Sequence, residues 1–256
     1  MPTQSLFLVA GLLLMATSAH ALTADELVAK NVDARGGLDK IHAIKSIKLD
    51  GKLRVGGQFE LALAQYKKAP NSVRTEATIQ GLTQIQAWDG KSAWQISPFE
   101  GRRDPEAISG DDAKSLSDDA AIGGPLVDWK TQGNSLEYLG TEDIDGTEAH
   151  KLKVTLKNGD IEYVYLDPDH YLEIRTIADQ VVRGTHVETV TDYGDYEQVD
   201  GVYFPFSISS STKEAGPFAK QQITIEKAVA NVAMDDNLFA FPHANGTAHA
   251  AAGAKP

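Results

Sequence analysis

The sequence predicts one large, curved antiparallel β-sheet of ten or eleven strands, with an N-terminal helix and a helical insertion. Three observations support this prediction. Runs of alternating apolar and polar residues recur along the chain and are mostly joined by short turns, as in a β-meander. A capping box of Thr23 and Glu26 begins a helix that we expect to end at Gly36. Between Asp104 and Gln132 the alternation stops, and prolines stand where short helices would begin.

The two ends of the chain differ from the rest. An apolar run from Leu6 to Met15 precedes Ala19-His20-Ala21, which predicts a secretory signal peptide cleaved after Ala21, although no basic residue precedes the run. The run is too short to span a bilayer. We therefore expect a single domain over 22–242 and a disordered, low-complexity tail over 243–256.

Composition restricts the class of protein. The 256 residues include no cysteine and carry a formal charge of −12. Without cysteine the chain has neither a disulfide framework nor an acylated N-terminal anchor. The acidic charge argues against nucleic acid and anionic membranes as partners, but it allows docking onto a cationic protein.

The first hairpin has a register that the apolar pattern selects. Leu49, Leu53 and Val55 share one face of their strand. A three-residue loop would pair Val55 with Phe59 and place Phe59 and Leu61 on that same face, whereas a two-residue loop would separate the two sets.

Two later hairpins have turn signals at Asp89-Gly90 and Asn158-Gly159. Two-residue turns would pair Ile85 with Trp94 and place Ile96 on the same apolar face, with Trp88 on the other. In the second hairpin they would place the tyrosines opposite the apolar residues, and the same pairing continued across the Asp167-Pro168 turn would put one ion pair outside. Leu152 would lie opposite Tyr165, and Val154 would lie opposite Tyr163. The outer ion pair would join Glu162 and Arg175.

No catalytic, metal-binding or cofactor-binding motif is present in the sequence. There is no H-E-x-x-H, G-x-S-x-G, P-loop or dinucleotide fingerprint. Acidic doublets such as Asp143 and Asp145 are typical of turns. We therefore predict no catalytic residue, metal or cofactor, although a carboxylate pair could still assemble from distant strands.

Several motifs resemble those of the periplasmic outer-membrane lipoprotein-sorting superfamily (LolA/LolB-like), of which this chain would be a divergent member. They are "YKKAPNSVRTEA", "AWDGKSAWQISPF" and the insertion that follows them, then "YLDPDHYLEIR", "DYEQVDGVYFPFSI" and "VAMDDNLFAFP". The positions that match the family pattern in the first two are Lys68, Pro70, Asn71, Asp89, Gly90, Lys91, Trp94, Pro98 and Phe99. The order of the motifs, more than any one of them, carries the resemblance.

The resemblance implies a half-open β-barrel whose apolar cavity lies under a helical lid at about 104–132. It further implies a monomeric, soluble periplasmic carrier of lipoprotein or lipid acyl chains, served by an inner-membrane donor and an outer-membrane acceptor protein. We expect the cavity wall to comprise Leu49, Leu53, Phe59, Leu61, Ile85, Trp94, Ile96, Tyr163 and Tyr165. We expect the lid to contribute Leu116, Leu126, Val127 and Trp129.

One position departs from the family pattern. The best-known carriers have an arginine directly before the Pro-Asn pair, where it helps to hold the lid shut, but this chain has Ala69. Lys67 and Lys68 precede it, and an ammonium group lacks the planar fork of arginine. Two alternatives therefore stay open: a sensor module that binds a lipidic ligand, and an enzyme, which would need a polar cluster inside the cavity.

Overall fold

The structure is a computed structural model that describes residues 22–108, 110–182, 184–212 and 220–242. The predicted signal peptide (1–21) and tail (243–256) lie outside the described residues. Within the described ranges, no helix combines the length and apolar character needed to cross a membrane.

The described part of the chain contains thirteen strands in one antiparallel sheet. Their bounds are β1 Ser46–Val55, β2 Phe59–Lys68, β3 Ser72–Ile79, β4 Leu82–Trp88, β5 Ala93–Ser97, β6 Arg102–Ile108, β7 Ser135–Ile144, β8 Thr147–Thr155, β9 Ile161–Leu166, β10 Glu173–Val182, β11 Thr185–Val199, β12 Val202–Thr212 and β13 Gln221–Ala230. The order across the sheet is β6-β5-β4-β3-β2-β1-β13-β12-β11-β10-β9-β8-β7. Because β6 and β7 form its two edges, the sheet is open, as the predicted half-barrel requires.

The strand count exceeds the ten or eleven predicted, and β6 shows one reason. Residues 105–109 were expected to form a short helix, but 105–108 belong to this strand. Pro105 is tolerated there because β6 is an edge strand and an edge strand does not need every N–H group for pairing. The segment that leaves the sheet is therefore 110–132, which we call the lid.

Four α-helices accompany the sheet in the described part of the chain: α1 Ala24–Ala34, α2 Leu38–Ala43, α3 Lys114–Asp119 and α4 Trp129–Gln132. The predicted capping box is confirmed, because the N–H of Glu26 donates to Thr23 Oγ1 at 3.2 Å and the N–H of Thr23 donates to Glu26 Oε2 at 2.8 Å. Glycine is required at the end of α1. A Cβ atom on Gly36 would lie 2.2 Å from the carbonyl oxygen of Gly201, so this close approach fixes α1 against the β11–β12 turn.

The helices pack against one face of the sheet, which we call the inner face; the other is the outer face. Two apolar clusters form between the helices and the inner face. One contains Ile41 of α2, Ile47 of β1 and Val127 of the lid. The other contains Leu27 of α1 and Leu152 of β8. The lid thus contributes to the permanent core as well as covering the sheet.

The predicted register of the first hairpin is confirmed. Val55 pairs with Phe59 and Leu53 pairs with Leu61, so the loop has three residues. The apolar residues of both strands share the inner face. This shared face is the reason that the sequence favours a three-residue loop.

The register predicted for the β8–β9 hairpin is wrong by one residue. Leu152 pairs with Val164 and Lys153 pairs with Tyr163, because the loop has three residues, 157–159. The N–H of Leu156 closes it by donating to the carbonyl of Asp160 at 2.9 Å. A one-residue slip exchanges the two faces of a strand, so β9 turns Val164 inward instead of its tyrosines.

Candidate ligand cavity under the lid

The lid is anchored on the inner face by apolar side chains. Leu116 of α3 and Val127 are 9% and 3% exposed, and Leu126 is fully buried. Leu126 belongs to the cluster with Leu27 and Leu152, whereas Val127 belongs to the cluster of α2 and β1. Since these clusters lie on different parts of the sheet, the lid bridges them.

Asp119, at the end of α3, attaches the lid to β2. Lys67 Nζ lies 2.6 Å from both the carboxylate Oδ1 and the backbone carbonyl of Asp119. Gln65 Nε2 donates to Asp119 Oδ2 at 3.1 Å. Lys67 and Gln65 therefore connect β2 to the lid.

Asp118 attaches the lid to the opposite part of the sheet. Its carboxylate accepts hydrogen bonds from Asn158 Nδ2 at 3.3 Å and from Gln180 Nε2 at 3.2 Å. Asn158 lies in the β8–β9 turn and Gln180 lies in β10, five strands from β2 in the sheet order. Two consecutive aspartates therefore connect the lid to both sides of the curved sheet.

A cavity of about 390 Å³ lies between the lid and the inner face, and we call it the inner cavity. Its apolar wall combines residues from two strands, β1 and β12, and the lid: Ile47, Leu49, Ile122, Phe204 and Ile208. A larger cleft of about 850 Å³ adjoins it, against α2 and the β2–β3 and β8–β9 turns, and shares Ile122 and Glu162 with it. The inner cavity is the candidate site, because an ordered sheet forms its wall and its volume suits a small ligand.

The wall contributed by β9–β11 is polar. Glu162 and Glu173 point into it, and Thr176 Oγ1 lies 3.2 Å from the hydroxyl of Tyr193. Burial, and after it the charge of Glu173, raises the pKa of Glu162 to about 8. Burial also raises the pKa of the Glu173 carboxyl and that of the Tyr193 hydroxyl. The cavity therefore joins an apolar wall to an acidic one.

The lid and the β8–β9 turn add acidic groups to the same wall. Burial and the charge of Asp160 raise the pKa of Asp118 to about 6. Asp160 is 7% exposed, and within the described part of the chain its buried Oδ2 atom has no hydrogen-bond partner; the same holds for Oε1 of Glu173. Buried oxygens of this kind are rare in folded proteins, because each loses its hydration without compensation.

Four of the nine predicted cavity residues lie on the inner face. Leu49 borders the inner cavity, and Leu53 packs against the adjoining core cluster. Leu61 is buried, whereas Phe59 is 48% exposed near the end of the sheet. Of the predicted lid residues, Leu116, Leu126 and Val127 are buried, and Trp129 packs against the cluster that contains Leu126.

The prediction that Ile85, Trp94 and Ile96 face the cavity is wrong. Ile85 pairs with Ile96 and Ala87 pairs with Trp94, and all four lie on the outer face. The loop has four residues, because Asp89 Oδ1 accepts hydrogen bonds from two loop N–H groups at 2.9 and 2.7 Å. Alternation correctly placed Ile85, Trp94 and Ile96 on one face of the sheet. It does not show which of the two faces the helices cover.

The outer face at β3–β5 is covered by residues 234–242, which we call the strap. Trp94 is 1% exposed, and its Nε1 donates to the carbonyl of Phe239 at 2.8 Å. The ring of Phe241 meets it edge-on, with centroids 6.3 Å apart. Arg74 Nη1 donates to the carbonyl of Leu238 at 3.0 Å. The strap makes this part of the outer face a second core.

The prediction that Tyr163 and Tyr165 face the cavity is also wrong. Both lie on the outer face, where Lys151 Nζ is 4.7 Å from the ring centroid of Tyr163 and 5.3 Å from that of Tyr165. The Tyr165 hydroxyl donates to Glu142 Oε1 at 3.4 Å. Arg175 lies on this face too, paired with Asp192, so the predicted outer pair with Glu162 does not form.

Sequence reasoning missed the acidic wall. Glu162 stands between Ile161 and Tyr163 and was assigned to the outer face by its alternation with the tyrosines. The signal that could have found it is the competing register, in which Val164 and Leu166 face inward with Leu152. That register buries three aliphatic side chains completely and leaves the tyrosine hydroxyls near solvent-facing charges.

An open antiparallel sheet, a lid fixed to both of its sides and a cavity between them define a half-barrel with an internal cavity. Comparison with solved structures assigns the fold more closely. A LolA superfamily protein from Nitrosomonas europaea superposes with a TM-score of 0.56 at 14% identity, over 86% of this chain and 98% of the other. A putative outer membrane lipoprotein-sorting protein domain from Vibrio parahaemolyticus gives 0.56 at 10% identity, over 84% and 94%.

These likenesses confirm the predicted fold, an open antiparallel half-barrel. No family model and no curated protein matches the sequence. At 10–14% identity, the similarity to these solved structures supports a conclusion about the fold alone.

Proposed function

We propose that this protein is a soluble periplasmic carrier that binds acyl chains of a lipoprotein or lipid in the inner cavity and shuttles them toward the outer membrane. The observation that supports it is the apolar wall of Ile47, Leu49, Ile122, Phe204 and Ile208, which lies under the lid and borders a cavity of about 390 Å³. Binding is non-covalent, and each buried methylene stabilises the complex by roughly 0.8 kcal/mol.

The attachment of the lid supports a carrier that must load and release its ligand. Lys67 and Asp119 form a charged contact at the rim, and the Asp119 side chain is 49% exposed. Such a contact contributes little to stability, so an opening costs less there than in the buried clusters. We propose that an inner-membrane donor and an outer-membrane acceptor, each with a cationic docking surface, open the lid of the monomeric carrier in turn.

A direct test measures binding of a neutral alkyl probe. We expect 1-decanol to bind the purified protein with a stoichiometry of one by isothermal titration calorimetry. Leu49→Asn, in the cavity wall, should weaken binding at least about tenfold, because it places an amide against the chain. Leu139→Asn is the matched control, since Leu139 is 43% exposed on β7. No binding to the wild type, or equal effects of both variants, would contradict the proposal.

The acidic wall favours a second function, that of an enzyme acting on the bound molecule. An enzyme needs a polar cluster inside the cavity, and Glu162, Thr176 and Tyr193 provide one. Native mass spectrometry of protein purified from its periplasm separates the two functions. A carrier returns its ligand with unchanged mass after incubation, whereas an enzyme returns a product of different mass.

A further inference from the structure

The acidic groups of the inner cavity outnumber the basic ones. Five carboxylates border it: Asp118, Asp119, Asp160, Glu162 and Glu173. The neighbouring cations are Arg35, Lys67 and Lys114. Lys67 is engaged with Asp119, and Lys114 Nζ approaches Asp160 Oδ1 only to 3.5 Å. The wall therefore carries more potential negative charge than the protein itself compensates.

Two buried oxygens of this wall have no hydrogen-bond donor in the described part of the chain. Asp160 borders the inner cavity, two residues before Glu162. Its buried Oδ2 accepts no hydrogen bond from the described residues. The Oε1 atom of Glu173 is also buried and also accepts no hydrogen bond from these residues. A buried carboxylate without a donor is costly, so donors are expected from outside the chain.

The apolar wall of the inner cavity indicates the chemical character of the rest of the ligand. Ile47, Leu49 and Ile208 border the same cavity as Glu162 and offer no hydrogen bond. A molecule that matches both walls has an apolar chain and a positively charged polar end. A primary ammonium group fits best, because it carries three donors and no acceptor and can serve several carboxylates at once.

We propose that the inner cavity selects amphiphiles whose polar end is a cationic amine, held by Glu162 together with Asp160 and Asp118, with the chain lying along Ile47, Leu49 and Ile208. This proposal rests on the proposed function, since it names the chemical class of the ligand in the same cavity. It differs from plain acyl binding in requiring charge as well as a chain.

The titration of Glu162 gives the proposal a pH dependence. Its carboxyl holds a proton up to about pH 8 in the empty cavity, because burial and the charges of Glu173, Asp118 and Asp119 disfavour ionisation. An ammonium group favours the ionised form, so binding releases that proton. Affinity for the amine should therefore rise between pH 6 and pH 8, whereas affinity for an uncharged chain should not.

The test compares decylamine, 1-decanol and decanoate by isothermal titration calorimetry at pH 6, 7 and 8, all below their aggregation limits. Butylamine tests whether charge without a chain suffices. We expect decylamine to bind roughly tenfold or more tighter than 1-decanol at pH 8, and decanoate and butylamine to bind weakest. Glu162→Gln and Glu173→Gln should each move the ratio of the two affinities toward one, and Glu137→Gln, exposed on β7, should keep it.

The outcomes separate this proposal from the proposed function. If 1-decanol binds but decylamine has no advantage, or if Glu162→Gln keeps the ratio, the amine proposal is overturned and the carrier stands. If butylamine binds as tightly as decylamine, the site recognises a soluble amine and the amphiphile proposal is wrong. If no probe binds, both proposals fail. Circular dichroism of each variant establishes that it is folded.

Discussion

The outer face around Trp94 and the inner face around Glu162 both bury large side chains, but they treat polar atoms in opposite ways. At Trp94 the single polar atom of the side chain donates to the Phe239 carbonyl at 2.8 Å. In the inner wall, Oδ2 of Asp160 and Oε1 of Glu173 are buried without a partner. The polar atom of the outer region is satisfied within the chain, whereas two oxygens of the inner wall have no donor in the described residues. Between these two regions, it is the satisfaction of polar atoms and not the depth of burial that differs.

The largest effect should come from the outer region. Trp94→Ala removes a buried ring and the partner of the Phe239 carbonyl, so we expect the free energy of unfolding to fall by about 3–5 kcal/mol in urea denaturation. Phe99→Ala is the control, because Phe99 is 44% exposed and little is lost. The folded Trp94 variant should still bind 1-decanol. Loss of binding without loss of stability would place Trp94 in the cavity after all.

The inner region should behave in the reverse way. The raised pKa of Glu162 means that the folded protein holds an extra proton between pH 4.5 and about pH 8, so stability falls as pH rises through this window. Glu162→Gln removes that penalty. We expect it to unfold like the wild type at pH 4 and to be more stable by a few kcal/mol at pH 8.5.

Urea denaturation at the two pH values measures this difference, with Glu137→Gln as the variant that should follow the wild type at both. A Glu162→Gln protein that is less stable than the wild type at pH 8.5 would show that this carboxylate is satisfied within the chain. The contrast with Trp94 would then disappear.

A smaller effect is expected at the rim of the cavity. Lys67→Met removes both contacts to Asp119 while the apolar anchors Leu116 and Val127 remain. We expect amide hydrogen exchange in α3 to become about tenfold faster, with little change in the sheet, because only the lid opens more often. Lys52→Met, which removes an exposed pair with Glu226, should leave the exchange of α3 unchanged. Equal protection in both variants would mean that Lys67 does not hold the lid.

The smallest effect is expected at Tyr163. Replacing it by leucine removes the contact of its ring with Lys151, which is worth about 0.5–1 kcal/mol at an accessible site. The ratio of decylamine to 1-decanol affinity should stay as in the wild type. A changed ratio would show that the tyrosine hydroxyl meets the polar end of the ligand, as an inward-facing Tyr163 would require.

The sequence alone allowed prediction of the sheet class, the α1 cap and the first hairpin, each of which depends on interactions between residues close in the chain. Thr23 and Glu26 are three residues apart, and one loop length unites the apolar residues around Val55 and Phe59. The prediction for the β8–β9 hairpin was wrong because each of two possible registers gives an apolar face. Deciding between them requires knowing that α1 and the lid cover Val164.

The candidate site was predicted less well, for a related physical reason. Alternation grouped Ile85, Trp94 and Ile96 correctly, but the face that carries them is decided by the strap, more than 130 residues away in sequence. Glu162, Asp160 and Asp118 come together only through the curvature of the sheet and the path of the lid. An acidic wall assembled in this way leaves no local motif.

The most direct test of the contrast between the two faces is a titration of the isoleucine-methyl-labelled protein with decylamine, followed by NMR. Ile47, Ile122 and Ile208 border the inner cavity, whereas Ile85 and Ile96 lie on the outer face. We predict that the methyl signals of the first three shift in proportion to occupancy and that those of Ile85 and Ile96 do not. Shifts confined to Ile85 and Ile96, or no shift at any of the five, would contradict a ligand site on the inner face.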